Sequence, residues 1–244
     1  MFNFTFDNRT VWIIVAIMLL VGLMTFLQSE NGILGLLFTI PGVLIAITFH
    51  EFAHAYVADK LGDTTPRSQG RLNLNPLKHI DPIGFVFLLV AGFGWGKPVQ
   101  INSRNFDRNM PLTKAEAIVA AAGPIMNFIL AFVLLILSYA LLRIPGFGGQ
   151  IAYIIQIILS YAIVINIGLG VFNLIPLPPL DGSKILIHFL PYNSRQWFWE
   201  NEKIFYIVFL LFWVTGISGT LLTPIFNAVL AGMDFIVGSL FSLF

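Results

Sequence analysis

The chain has no cysteine and little charge: 13 Lys and Arg and 12 Asp and Glu make up only 10 % of its 244 residues. Without cysteine there is no disulfide framework, no thiolate nucleophile and no Cys-based zinc site, so a metal would have to use His, Asp or Glu. Soluble domains are about 25 % charged. With 57 % of its residues hydrophobic instead, this chain reads as an integral membrane protein. A formal net charge of +1 argues against nucleic acid as a partner. No internal repeat or low-complexity tract is visible, and residues 1–244 read as one membrane domain.

Crossing about 30 Å of hydrocarbon takes roughly 20 helical residues. Apolar runs of that order lie at 11–28, 33–58, 115–142, 151–175, 204–222 and 224–244. The expected fold is therefore an all-α polytopic membrane protein of about six transmembrane helices. The first run ends in Gln28-Ser29-Glu30 without a small-residue cleavage pattern and reads as a retained helix. Thr223 and Pro224 alone separate the last two runs, which predicts a tight helical hairpin there. With six crossings, 12 of the 13 Lys and Arg fall on one side and only Arg143 on the other. The positive-inside rule then predicts a multi-pass protein of the cell membrane with both termini cytoplasmic. Trp12, Trp197 and Trp199 fall near that cytoplasmic boundary, as interfacial anchors do.

The 59–114 loop is the one sizeable non-spanning region. Its apolar piece 83–95 is too short to span and reads as re-entrant or as a short hairpin at the membrane surface. The stretch 70–76 alternates like a strand, and Lys97-Pro98-Val99-Gln100-Ile101 is a candidate partner, so a small β-hairpin or re-entrant element is expected between the second and third spans.

Within the second span stands His50-Glu51-Phe52-Ala53-His54. Residues four apart share a helix face, so His50 and His54 can present two imidazole nitrogens to one zinc ion, while Glu51 can reach a water on that ion as general base. In this composition the pattern arises by chance roughly once in a thousand chains. Polar side chains in lipid cost about 2.5–3.5 kcal/mol each on insertion scales, which argues against an idle triplet. A catalytic zinc site needs a third protein ligand and an open position. By residue type the candidates are His79, Asp81, Asp181 and His188, with Asp181 favoured because the prolines of Leu174-Ile175-Pro176-Leu177-Pro178-Pro179-Leu180 break the fourth span at the same membrane face.

The HEFAH segment in a span, followed downstream by Asn173-Leu174-Ile175-Pro176-Leu177-Pro178-Pro179-Leu180-Asp181-Gly182, resembles the site-2 protease family of intramembrane zinc metalloproteases. Leu61-Gly62-Asp63, Gly70-Arg71, Asn75-Pro76-Leu77-Lys78-His79-Ile80-Asp81-Pro82 and Ala122-Gly123-Pro124-Ile125-Met126-Asn127 resemble its compact prokaryotic branch, and the likeness covers roughly residues 40–190. The resemblance implies one zinc per chain on His50, His54 and Asp181. It further implies Glu51 as catalytic acid/base, Asn173 as a group that helps polarise the scissile carbonyl or holds the transition-state oxygen, and transmembrane proteins or peptides as substrates. Many relatives carry a PDZ or CBS domain, for which these 244 residues leave no room. His79 and Asn127 match family positions, and for each the structural reading is favoured: a tether for the re-entrant segment and a helix-to-helix hydrogen bond. His188 reads as interfacial. Two other functions fit the same parts, a zinc hydrolase of a lipid or small amide and a non-catalytic protein that binds membrane helices. The intact His50, Glu51, His54 and Asp181 oppose the second.

Overall fold

The computed structural model describes residues 32–91 and 96–243. Its described elements are all helical. In order they are α1 (Gly32–Lys60), α2 (Thr65–Ser68), α3 (Pro76–His79), α4 (Pro82–Ala91), a 3-10 turn (Ser103–Asn105), α5 (Leu112–Leu142), α6 (Gly149–Asn173), α7 (Asp181–Phe189), α8 (Tyr192–Glu200), α9 (Glu202–Val214) and α10 (Ile217–Phe241). Four helices among the described residues are long and apolar enough to cross a membrane: Leu34–Lys60, Leu112–Leu142, Gly149–Asn173 and Ile217–Phe241. The expected first span at 11–28, and Trp12 with it, lies outside the described residues.

At the centre α1, α5 and α6 pack on one another. Lipid tails are as apolar as leucine, so helices in a membrane gain chiefly by close approach, which small side chains permit. The seams are accordingly built on Ala46, Ala53, Ala58, Ala115, Ala120, Ala131 and Ala162, all buried. At Gly42 a Cβ would stand 2.7 Å from the Ala162 Cα, so this crossing of α1 and α6 requires glycine. Gly62, at φ +102°, ends α1 by turning the chain under Asp107. The buried Asp63 that follows accepts hydrogen bonds from the backbone of Thr65 and Asn102 and from the Asn105 side chain, closing the start of the loop on its end.

Two expectations are corrected. No strand forms among the described residues. The alternating stretch 70–75 is a series of turns, because its polar side chains bond their own backbone, Asn73 to Gly70 O and to Asn75 N. The only pairing among the described residues is a single antiparallel bridge between Ile80 and Gly96. The hydrophobic piece 83–95 contributes the ten-residue α4.

The second correction concerns the runs 204–222 and 224–244. Their first half forms α9, whose 13 residues reach about 20 Å and fall short of a bilayer core. The chain turns at Gly216 (φ +72°), and Pro224 lies inside the 25-residue α10 where a hairpin turn was expected. Proline is tolerated in membrane helices because neighbouring groups take up the freed carbonyls. Phe209 of α9 lies against Phe172 at the end of α6, ring centroids 5.9 Å apart. At the other end of the bundle Tyr139 Oη donates to Asp234 at 2.8 Å and Arg143 to the Phe241 carbonyl at 2.7 Å. Helix α10 thus runs parallel to α5, and Phe241 ends beside Arg143, at the opposite end from Lys60 and Lys114.

Candidate metal centre

Helix α1 runs antiparallel to α5, so residues of the two pair off along their length. Asn127 lies beside His50, Val119 beside His54 and Ala115 beside Ala58. His50 precedes Lys60, the end of α1, by ten residues, and its neighbour Gly123 follows Thr113, at the start of α5, by ten. Each count places the imidazoles about 15 Å from that end of the bundle at 1.5 Å per residue. Both histidines are 7 % exposed.

Asp181 reaches this depth by a fold-back. Helix α6 stops at Asn173, with Gly170 against the Phe128 ring, well inside the α5 start. The proline-rich 174–180 segment turns there, and α7 runs outward along α5 until His188 Nδ1 meets Thr113 Oγ1 at 3.3 Å. Asp181 is the first residue of α7 and hence its deepest. Gly182 is required by proximity: a Cβ there would collide with the carbonyl oxygens of Leu174 and Ile175.

The result is a cluster of three Lewis bases. His50 Nε2 and His54 Nε2 are 3.0 Å apart, and Asp181 Oδ2 lies 3.2 and 3.1 Å from them. The outer ring nitrogens set the tautomers. His54 Nδ1 lies 2.7 Å from the Val119 carbonyl, which can only accept, so in the neutral ring the proton is on Nδ1 and Nε2 carries the lone pair.

For His50 the same conclusion follows from a chain of amides. Asn166 Nδ2 donates to the Ala162 carbonyl, which turns its Oδ1 to Asn127 Nδ2 at 3.0 Å. Asn127 Nδ2 also donates to the Ala46 carbonyl, which leaves Asn127 Oδ1 to accept from His50 Nδ1 at 2.7 Å. In the neutral His50 ring Nε2 therefore carries the lone pair as well. With both rings neutral, three lone pairs converging at 3.0–3.2 Å repel one another unless a cation lies among them.

The residues fit zinc on two counts. Ligands about 2.0–2.1 Å from a tetrahedral zinc stand roughly 3.3 Å from one another, close to the observed edges. Gly123 also keeps the space beside the two rings open, since a Cβ would lie 2.5 Å from His54 Nε2 and 2.7 Å from His50 Nε2. His50, His54 and Asp181 are the one such group of potential metal ligands among the described residues.

Glu51 is half-buried beside the cluster, its Oε2 accepting from the Val99 amide at 2.9 Å. Asn173 closes α6 with Nδ2 donating to the Leu169 carbonyl at 3.0 Å and makes no hydrogen bond to the cluster. The other candidate ligands lie elsewhere. Asp81 caps the Gly84 amide of α4 at 2.8 Å, and fully buried His79 binds the Asn73 carbonyl through Nε2 at 2.7 Å. Burial pushes the His79 imidazole below its ordinary value, with Arg71 and Lys78 acting in the same direction. Burial alone would raise the Asp63 carboxyl, but its bonds from Thr65, Asn102 and Asn105 hold it below the usual carboxylate value. Asn166 was not singled out from sequence; an unpaired amide in an apolar span was the signal available. Asn127 does make the helix-to-helix bond expected of it, and bonds His50 besides.

Comparison with known proteins places this geometry. The family model described as Peptidase family M50 matches residues 38–216. The chain is 41 % identical over 191 residues to YwhC of Bacillus subtilis, covering 76 % of this chain and 84 % of that one. It is 30 % identical over 192 residues to Rip2 of Mycolicibacterium smegmatis (77 % and 68 % covered). It is 29 % identical over 211 residues to MJ0611 of Methanocaldococcus jannaschii (86 % and 98 %). Each of the three bears the name of a zinc metalloprotease. No solved structure matches. The matched stretch holds all three clustered side chains and the loop between them, and the chain belongs to Peptidase family M50, the site-2 protease family of zinc metalloproteases.

Proposed function

We propose that the chain is an intramembrane zinc metalloprotease, a single catalytic domain that hydrolyses peptide bonds within or near transmembrane segments of membrane proteins. The observation that carries this reading is the convergence of His50 Nε2, His54 Nε2 and Asp181 Oδ2 about 15 Å inside the bundle. His50, His54 and Asp181 hold the zinc. Zinc bound there would supply a Lewis acid that polarises the scissile carbonyl and would bring the pKa of the attacking water down to about 7. Glu51 takes the water proton on the carboxylate oxygen that Val99 leaves free and returns it to the departing amine. Asn173 retains one Nδ2 hydrogen beyond its bond to Leu169, available to the substrate carbonyl oxygen.

A peptide bond in an intact helix is shielded by its own hydrogen bonds, so the substrate helix unwinds where it is cut. Cleavage of labelled transmembrane peptides by the purified protein, abolished by a chelator, tests this. Hydrolysis of lipids or small amides with the peptides untouched would give the site another substrate class. Zinc retained at one per chain in Asp181→Ala would move the third ligand elsewhere.

The basic end of the bundle, with Lys60, Lys114 and the 59–114 loop, faces the cytoplasm under the positive-inside rule. Phe241 then emerges on the far side, which reverses the orientation expected for the C-terminal end from six crossings. Single cysteines at Asn105 and Leu243, probed with an impermeant thiol reagent on intact cells, separate the two arrangements. Labelling of position 243 alone is expected; labelling of neither position returns both to the cytoplasm as six crossings require, and labelling of 105 overturns the orientation.

A further inference from the structure

The loop between α1 and α5 buries a guanidinium that this mechanism does not use. Arg71 is 6 % exposed. It donates from Nη1 to the Lys78 carbonyl and from Nη2 to the Lys97 carbonyl, while its Nε has no partner. Two backbone carbonyls are poor compensation for desolvating a permanent cation. The nearby opposite charge whose field acts on it is Glu51.

What Arg71 grips is the segment that lies on Glu51. Lys97 N donates to the His79 carbonyl at 2.8 Å, Gly96 bridges Ile80, and two residues on Val99 N donates to Glu51 Oε2 at 2.9 Å. The segment comes this close because residue 96 has no side chain. A Cβ there would stand 2.8 Å from Ile47 Cγ2, 3.0 Å from the His79 carbonyl and 3.5 Å from Glu51 Oε1. A free carboxylate rotates about its terminal torsion. One held through one oxygen presents the other in a fixed direction.

We infer that Arg71 is a positioning residue for Glu51: by clamping the Lys97 carbonyl it holds the 96–99 segment so that the Val99 amide fixes one carboxylate oxygen and leaves the other for proton transfer. The inference rests on Glu51 being the acid/base. Arginine suits the task because its planar fork spans carbonyls on two separate segments, whereas a lysine ammonium is a point donor.

Arg71→Met, Arg71→Lys and Gly96→Ala test it in the full chain, with cleavage of a labelled transmembrane peptide normalised to bound zinc. Arg71→Met is expected to lower kcat by about 10²-fold, the scale for a displaced catalytic group, with KM and zinc content within about twofold of wild type. Arg71→Lys loses less. Gly96→Ala lifts the same segment from its other face with the guanidinium intact and gives the same kcat-only loss. A plain loop staple would lower thermal stability and leave kcat per zinc-loaded molecule unchanged, and that result overturns the inference. If Arg71→Met does not accumulate folded, the same criterion applies to the other two variants.

A readout independent of turnover separates this from failure of the protease reading itself. Modification of a Val99→Cys thiol by a water-soluble maleimide is expected to quicken roughly fivefold in both Arg71→Met and Glu51→Leu, as one hydrogen bond is lost from a local opening. Unchanged modification in either variant breaks the link from Arg71 to Glu51, whether or not the wild-type protein cuts the peptide.

Discussion

The two ends of the bundle are held together by different physics. Toward Lys60 and Thr113 the interior is polar: His50, His54, Asp63, Arg71, His79, Asn127 and Asn166 are all buried. Toward Arg143 the same helices meet α10 through Ala131, Leu135, Ile163, Ile167 and Val237, with Ser138 and Gln156 bonded at 2.5 Å and Tyr139 bonded to Asp234. In lipid, apolar packing is only weakly directional, while a buried polar group without its partner costs several kcal/mol. The apolar end therefore serves cohesion, and the polar end fixes the direction of individual atoms.

The largest expected effect lies at the polar end. Glu51→Gln keeps shape and an acceptor for the Val99 amide but cannot take a proton, so hydrolysis should fall by at least about 10²–10⁴-fold with zinc content and helicity unchanged. Peptide cleavage beside elemental analysis checks it.

Next, Asn127→Leu should weaken zinc binding by about 10–100-fold, read by chelator competition, because His50 loses the acceptor that fixes its ring. Asn166→Leu should act in the same direction and more weakly, one bond further out. Equal losses, or none, would dissolve the amide chain as an orienting device. At the apolar end Val237→Ala, on a fully buried side chain, should cost roughly 1–3 kcal/mol of unfolding free energy in detergent and leave zinc affinity alone. A change in zinc affinity there would erase the distinction between the ends.

The smallest effect is that of pH on the loop. His79 is held neutral by burial and by the neighbouring cations Arg71 and Lys78, against the opposing pull of Asn73 and Glu51, so its folded pKa lies below the unfolded value of about 6.5. The unfolded chain then binds the proton first. The stability contributed by neutral His79 is complete above about pH 6.5 and is lost as pH falls from there toward the folded value. Asp63, depressed in the carboxylate range, does not titrate in that window. Proteolysis of the 59–114 loop should quicken between pH 7.5 and 5.5 in the wild type and lose that dependence in His79→Gln.

The metal cluster was legible because its chemistry is written locally, as two histidines one turn apart and an aspartate after a proline run. The spans at 33–58, 115–142 and 151–175 were legible because each is one long apolar run, and they correspond to α1, α5 and α6 within a few residues. The C-terminal arrangement was not. No Lys or Arg follows Lys203, so the charge rule has nothing to count there. Thr223-Pro224 is a stronger turn signal in water than in lipid, and the actual turn is a lone Gly216. Residues 70–75 alternate like a strand, but the Asn73 and Asn75 side chains bond nearby backbone, an option that competes with strand pairing. Asn166 escaped notice because its partner, Asn127, stands 39 residues away in sequence.

The 127 residues that separate His54 from Asp181 also set a timetable. At synthesis rates of about 5–20 residues per second the aspartate leaves the ribosome roughly 6–25 s after the second histidine. It then joins the cluster only when α6 has inserted and the proline run has folded back. A nascent chain that has threaded α1 into the bilayer therefore presents two imidazoles and a glutamate but no complete ion cradle.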